Sequence, residues 1–161
     1  MTTETDVPAS PEAHARKVIR NYTLVAMATG AVPLPTASVA IVTENAMMIS
    51  HVAASFGVPV SVGTVAASLG TVGMLNLGGR ALFVEGMRAL NTLGGGIASI
   101  AISALGATTA GLQTWGIGFL ALEIARRGGA PVEHREAAAI IESAKASFDP
   151  EALRREKEME P

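Results

Sequence analysis

One long uncharged stretch constrains the fold of this chain more than any other feature. It runs from Ala89 to Leu122 and contains no Asp, Glu, Lys or Arg. A block of that length, rich in Gly and Ala, exceeds what an ordinary buried helix needs and is typical of a membrane segment. As one helix it would span roughly 50 Å, beyond a hydrocarbon core of about 30 Å. We therefore expect it to fold back near Gly106–Gly111 into a helical hairpin.

Composition narrows the protein class further. Of 161 residues, 49% are hydrophobic and only 16% are charged, below the quarter or so that is typical of soluble domains. Aromatic residues make up 4%, so small side chains that suit close helix packing in lipid supply the apolar mass. A net charge of −2 offers no basic surface for nucleic acid, and the absence of cysteine excludes disulfides and thiolate chemistry.

Helix start and stop signals are clear in the first half of the chain. Ser10-Pro11-Glu12 predicts a helix start, with Ser as the N-cap and Pro in the first turn. Pro33-Leu34-Pro35 must end that helix, since proline removes a backbone donor. Thr36 is expected to cap a second helix that runs to about Phe56, before Gly57-Val58-Pro59.

The second half continues the same pattern. A third apolar segment at Val60–Leu77 and a polar interlude at Arg80–Arg88 precede the long uncharged block. Arg126–Gly129 reads as a helix stop, because basic residues favour a last turn and glycines follow it. Glu133–Ala146 is amphipathic, and Asp149 is expected to cap a short charged helix.

These signals predict an all-α membrane protein with Gly/Ala-rich apolar hairpins and amphipathic cytoplasmic helices. Its parts are a disordered tail at residues 1–10, a helical membrane-associated domain at 11–129 and C-terminal amphipathic and charged helices at 130–161. The polar beginning of the chain has no basic region leading into an apolar one, so no signal peptide is expected.

Basic residues constrain the expected topology. They flank both apolar blocks in three clusters: Arg16, Lys17 and Arg20; Arg80 and Arg88; Arg126 and Arg127. Because Lys and Arg prefer the cytoplasmic side, each block should enter and leave on one face, as a hairpin or re-entrant segment. We expect a bacterial inner-membrane protein with both termini in the cytoplasm. Whether the first block spans, re-enters or lies at the interface stays open.

A stripe of small residues is the first candidate site. Its members recur at helical spacing along the uncharged block: Ser99, Ser103, Ala107, Gly111 and Gly118. Such spacing lets helices approach closely in lipid, which predicts a helix-packing face. The alternative is that an Ala/Gly-rich segment produces these runs by chance.

Glu44 and His51 are the second candidate site. They lie seven residues apart, two turns along one helix face, in an otherwise apolar segment. An ionisable group inside a membrane usually marks a functional site, because its burial is costly. We favour the alternative that this helix lies at the interface and both side chains meet water. Two ligands without a third make a poor metal site, so no metal, cofactor or catalytic residue is predicted.

Several short motifs resemble a bacterial family of unknown function, family 697, which includes YcjF-like proteins. They are spread over Val18–Gly129: Pro33-Leu34-Pro35, Phe56-Gly57, Gly79-Arg80, Leu93-Gly94-Gly95-Gly96, Ala107-Thr108-Thr109-Ala110, Gly116, Glu123 and Gly128-Gly129. The resemblance implies a membrane-associated helical domain without its own enzymatic activity, found fused to or encoded beside Era-like GTPases. Ala37, Ser38, Thr43 and Glu44 depart from the Asp and Gln that the family often carries after Pro-x-Pro.

Three functions follow from these observations. The favoured one is a non-enzymatic membrane module that self-associates or recruits a protein partner, with a GTPase as the partner that the resemblance implies. That partner must be a separate protein, since no G-x-x-x-x-G-K-[ST] motif occurs in the chain. The second is a soluble helical assembly that buries its apolar segments between subunits. The third is a small transporter or channel component with Glu44 and His51 along a polar path.

Overall fold

The computed structural model describes residues 10–32, 37–70 and 98–160, without the side chains of residues 38 and 98–102. Over these ranges the regular structure is helical throughout, which confirms the all-α part of the prediction. The helices are α1 (Pro11–Ala31), α2 (Ala37–Phe56), α3 (residues 62–70), α4 (Ala98–Arg126), α5 (His134–Ala146) and α6 (Pro150–Glu158). Predictions for the tail at residues 1–9, for Pro33–Thr36 and for Arg80, Arg88 and Gly94–Gly96 lie outside the described residues.

The predicted helix ends are confirmed where the structure describes them. Ser10 Oγ accepts a hydrogen bond from the backbone N–H of Ala13 at 3.1 Å, as an N-cap should. Asp149 Oδ1 accepts from the N–H groups of Glu151 and Ala152 at the start of α6. Gly57, which follows α2, has φ +65°, a backbone conformation that favours glycine over residues with a Cβ.

The hairpin predicted at Gly106–Gly111 is wrong. Residues Ala98–Arg126 form one continuous helix, about 44 Å long at 1.5 Å per residue. No proline interrupts this stretch, and its glycines serve helix packing instead of a turn. A Cβ on Gly30 of α1 would lie 2.6 Å from the backbone oxygen of Gly106. The glycines therefore let two helix backbones approach closely while α4 stays helical.

Helix α4 lies at the centre of the bundle and packs against α1, α2 and α5. Its neighbour α1 runs antiparallel to it, because Gly30 meets Gly106 at one end and Ile19 meets Gly118 nearer the other. The largest apolar side chains with no exposed surface belong to α1, α2 and α4: Ile19, Met48, Val52, Leu120 and Ile124. One shared core therefore holds the three long helices together.

The C-terminal helices pack onto the same core. Val132 and Ala137 are buried in it, and Ile141 of α5 lies against Gly116 of α4. The chain after α5 turns at Phe148, which contacts Gly111 about halfway along α4. Helix α6 then runs back along α1. The α5–α6 turn therefore lies beside the middle of α4, and α6 lines a groove with α1 and α4.

Residues around α3 close the opposite end of the bundle. Ser68, which has no exposed surface, accepts a hydrogen bond from the Val132 N–H at 2.9 Å. His134 Nδ1 lies 2.9 Å from the carbonyl oxygen of Ser68. A Cβ on Gly129 would lie 2.7 Å from the Pro59 carbonyl oxygen. The start of α5 is thus fixed to α3 and to the loop after α2 by direct contacts.

Candidate functional site

Charged side chains gather at one end of the bundle. The ion pairs there join α1, α4, α5 and the end of α6: Glu12–Arg16, Glu160–Lys17, Glu160–Arg20, Glu123–Arg126, Glu123–Arg127 and Glu136–Arg127. Two of the basic clusters seen in the sequence therefore lie at the same end, and most of their charges face carboxylates of this chain. We call this part of the molecule the charged end.

Hydrogen bonds from basic side chains stabilise three carboxylates of the charged end, Glu12, Glu136 and Glu160, in their ionised form. Arg127 lowers the pKa of Glu136, and Arg20, helped by the nearby charge of Lys17, lowers that of Glu160. Arg16 and Arg126 together lower the pKa of Glu12. The charged end is therefore a network of mutually compensated charges, with an exposed surface that suits water.

The opposite end of the bundle is apolar. It comprises residues 28–31 of α1 with Val32 after it, 37–43 of α2 and 98–110 of α4, which contain no Asp, Glu, Lys or Arg. Val39 and Val42 of α2 are 69% and 68% exposed, and Val32 and Leu105 are exposed as well. We call this part the apolar end. Charge is thus segregated along the bundle axis, and large aliphatic side chains face outwards at one end.

Helix α2 contains a long apolar stretch. Within the described residues it is the one helix with an 18-residue window, Val39–Phe56, that is long and apolar enough to cross a bilayer. This test uses length and composition alone. Of that window, 33% is buried inside the bundle. Several of its apolar side chains, among them Met47, are half or more exposed.

Glu44 lies near the boundary of the apolar end and is half-buried. Its Oε1 atom accepts a hydrogen bond from Thr29 Oγ1 of α1 at 2.7 Å. Its Oε2 atom is buried without a hydrogen-bond partner among the described residues. Glu44 therefore links α2 to α1 and keeps one oxygen available for a further donor.

His51 lies on the same helix as Glu44 but has its own partner. Its Nδ1 atom is 3.0 Å from the hydroxyl of Tyr22, and the two rings lie 5.7 Å apart. The His51 side chain is exposed. The structure thus connects Glu44 and His51 to different residues of α1, Thr29 and Tyr22, and places His51 in a position where it meets solvent.

Part of the small-residue stripe of α4 faces α1. A Cβ on Gly118 would lie 2.7 Å from Cγ2 of Ile19, and one on Gly111 would overlap Met27. Ala107 and Ser103 are half-buried, while the side chain of Ser99 is outside the description. Within one chain Gly111 and Gly118 of the stripe therefore pack against α1. Its use between copies of the chain stays a prediction.

Three buried polar side chains occupy the interior, one on each long helix. Thr23, Asn45 and Thr114 are at most 8% exposed, and Thr23 Oγ1, Asn45 Oδ1 and Thr114 Oγ1 have no hydrogen-bond partner among the described residues. Hydroxyl and amide groups on facing helices are the kind that hydrogen-bond across helix pairs in membranes. The sequence around these residues did not indicate that they are buried. Their burial depends on which face of each helix packs inwards, and no motif marks that face.

In comparisons with known proteins, no family model, no curated protein and no solved structure matches the chain. The resemblance to family 697 therefore stays a hypothesis that rests on its short motifs.

Sequence reasoning missed the contacts that join distant parts of the chain. Thr29 as the partner of Glu44, and Glu160 as the partner of Arg20, are separated from them by 15 and 140 residues. The sequence showed that Arg20 belongs to a basic cluster. It did not show that the Arg20 side chain is buried beside Glu160, just after α6. Helical spacing shows which residues share a face and not which other helix covers that face.

Proposed function

We propose that this protein is a non-enzymatic membrane module, with its apolar end in lipid and its charged end in the cytoplasm at a bacterial inner membrane. The observation that carries the proposal is the exposure of large apolar side chains on α2, a helix of suitable length and composition to meet lipid. In water those side chains would leave a costly apolar surface exposed, and in lipid they would not.

The dimensions of the apolar end favour entry from one side. From Ala98 to Gly111 it is about 20 Å long at 1.5 Å per residue, less than a hydrocarbon core of about 30 Å. An insertion of that depth leaves the ion pairs of Arg16, Lys17 and Arg127 on one side, in water. Both termini then lie in the cytoplasm, as the positions of the basic residues favour.

The module acts by self-association or by recruiting a protein, with a separate GTPase as the partner that the family resemblance suggests. The GTPase is suggested by the family resemblance alone, because a fold by itself does not specify function. The exposed face of α2 around Val39 and Val42 is the surface that we expect to meet lipid or another copy. The charged end is the surface available to a soluble protein.

The test is alkaline carbonate extraction of cell membranes, followed by crosslinking and pull-down from the solubilised pellet. We expect the protein in the pellet, with a crosslinked dimer or a defined heterologous partner. Release into the carbonate supernatant would contradict the membrane location. A pelleted protein that yields neither a homo-oligomer nor a partner would contradict the recruiting role.

A second function is a soluble assembly that buries the apolar end between subunits. It is favoured by the position of α4, whose Leu120, Ala121 and Ile124 form the centre of an ordinary helical core. It predicts a single oligomeric species in detergent-free buffer, with Val39 and Val42 shielded between copies. Transport along Glu44 and His51 is the third proposal, and flux in proteoliposomes would distinguish it from the first.

A further inference from the structure

A groove lies on the surface between α1, α4 and α6, with a volume of about 370 Å³. That volume is within the range of small-molecule sites, which are mostly apolar with a few polar groups that orient the ligand. The apolar residues that line it come from α1 and α4: Leu24, Met27, Ala28, Ala31 and Ala107. Small side chains keep this floor open, and Ala28 is itself exposed.

The rim of the groove is formed by α6 and is charged. Arg154, Lys157 and Glu158 line it, which gives two positive charges against one negative. Arg154 has no acidic partner among the described residues. Lys157 Nζ is 3.5 Å from Glu160 Oε2, but the hydrogen bond from Arg20 already binds the other oxygen of that carboxylate. The rim therefore offers cationic donors beside an apolar floor.

The groove is continuous with the apolar end of the bundle. Ala31 and Ala107 belong both to its lining and to the apolar end, whereas Lys157 lies near Glu160, which pairs with Arg20 at the charged end. If the apolar end is in lipid, Arg154 and Lys157 of α6 lie at the level where lipid head groups meet water. Long basic side chains at that level extend towards anionic head groups.

We propose that this groove binds one anionic phospholipid, with an acyl chain along Leu24, Ala28 and Ala31 and the phosphate beside Arg154 and Lys157. The proposal rests on the membrane location proposed above. The groove would select one lipid class within the membrane, because Arg154 on the rim attracts an anionic head group and the apolar floor accommodates an acyl chain. A neutral lipid offers no net negative charge to the rim, so its binding is expected to be weaker.

Native mass spectrometry of the full-length protein in detergent tests the proposal, with dioleoyl phosphatidylglycerol and dioleoyl phosphatidylcholine as probes. We expect one bound phosphatidylglycerol, preferred over phosphatidylcholine. Basic residues near an anionic lipid surface are each worth about a factor of five, so Arg154→Gln with Lys157→Gln should weaken phosphatidylglycerol binding about 25-fold. The matched control, Arg135→Gln with Lys145→Gln on α5, should change it less than twofold.

A second pair of variants tests the floor of the groove without touching charge. Ala28→Trp fills the groove and should weaken the binding of both lipids, while Val25→Trp, exposed on the same helix outside the groove, should not. The proposal would be overturned if Ala28→Trp and Val25→Trp weakened lipid binding equally. Equal effects of the double variant on α6 and the double variant on α5 would overturn it too. Displacement of the lipid by millimolar sn-glycerol 3-phosphate would also overturn it, since that result indicates a phosphate site without an acyl chain.

Vesicle flotation distinguishes this inference from the membrane proposal. Protein that floats with phosphatidylcholine vesicles, while the groove variants bind phosphatidylglycerol like the wild type, contradicts the lipid site alone. Protein that stays at the bottom with both phosphatidylcholine and phosphatidylglycerol vesicles contradicts the membrane location as well. Flotation with both, together with the loss of phosphatidylglycerol preference in the groove variants, supports both.

Discussion

Glycine at positions 30 and 118 sets how closely α1 approaches α4. A Cβ on Gly118 would lie 2.7 Å from Ile19, a side chain with no exposed surface and no room to move. Gly116 differs, because its Cβ would lie 3.2 Å from the half-buried Ile141. The same substitution therefore has opposite physical consequences two residues apart on one helix.

We expect Gly118→Ala to lower the free energy of unfolding by about 1–2 kcal/mol, because overpacking outweighs the gain in helix propensity. Gly116→Ala should be neutral or slightly stabilising. Thermal unfolding followed by circular dichroism, with both variants in the same detergent, measures the difference. Equal melting temperatures would show that α1 is not held at the distance that the structure gives.

The hydrogen bond between Thr29 and Glu44 is the second feature at this scale. Thr29→Val removes the donor and leaves a half-buried carboxylate unsatisfied, which should cost about 1–3 kcal/mol. Glu44→Gln keeps an oxygen acceptor and should cost less. In a Glu44→Leu background, Thr29→Val should have little effect, since no carboxylate remains. A double-mutant cycle by chemical unfolding measures this coupling, and a coupling energy near zero would contradict a structural role for the bond.

At the scale of elements, α6 is held to α1 by Glu156 within the helix and by Glu160 just after it. Arg20 binds Glu160, and Lys17 lies 3.4 Å from the same carboxylate. The hydrogen bond from Arg20 lowers the pKa of Glu160 from its ordinary value of 4.5. A carboxylate whose pKa is lowered by folding stabilises the folded form above its unfolded pKa. That stabilisation is lost as the pH falls through the lower, folded pKa.

We therefore expect the backbone amides of α6 to be protected from hydrogen exchange at pH 6 and to lose protection below about pH 4.5. Glu160→Gln should reduce the protection at pH 6 and should differ little from the wild type at pH 3. Glu158→Gln on the same helix is the control and should follow the wild type. Identical profiles for Glu160→Gln and Glu158→Gln would contradict the role of the Arg20–Glu160 pair.

The helices show how far the sequence alone leads. Their ends at Ser10, Gly57 and Asp149 were predictable because capping depends on residues that are adjacent in sequence. The continuity of α4 through Gly106–Gly111, where a turn was predicted, could not be foreseen. Glycine in an apolar helix is compatible with both a bend and a close helix contact. Only the position of Gly30 on α1 decides between them, and it lies about 76 residues away along the chain.

At the scale of the whole molecule, the segregation of charge along the bundle carries the functional proposal. The sequence showed which segments lack charge and favoured one side for the basic clusters, but not which carboxylates pair with them or that Val39 and Val42 face outwards. Those facts depend on the antiparallel packing of α1 against α2 and α4. The choice of ligand could not be predicted from the sequence either. Arg154 and Lys157 form a candidate lipid site only because α6 packs them beside the groove on α1.

Cysteine labelling in intact membranes tests the membrane location most directly, since the native chain contains no cysteine. Val42→Cys replaces a side chain that is 68% exposed at the apolar end, and Arg135→Cys replaces an exposed one on α5. With a membrane-impermeant maleimide on inside-out vesicles, we predict rapid labelling at position 135 and protection at position 42. Labelling of both positions at the same rate would contradict insertion of the apolar end into lipid.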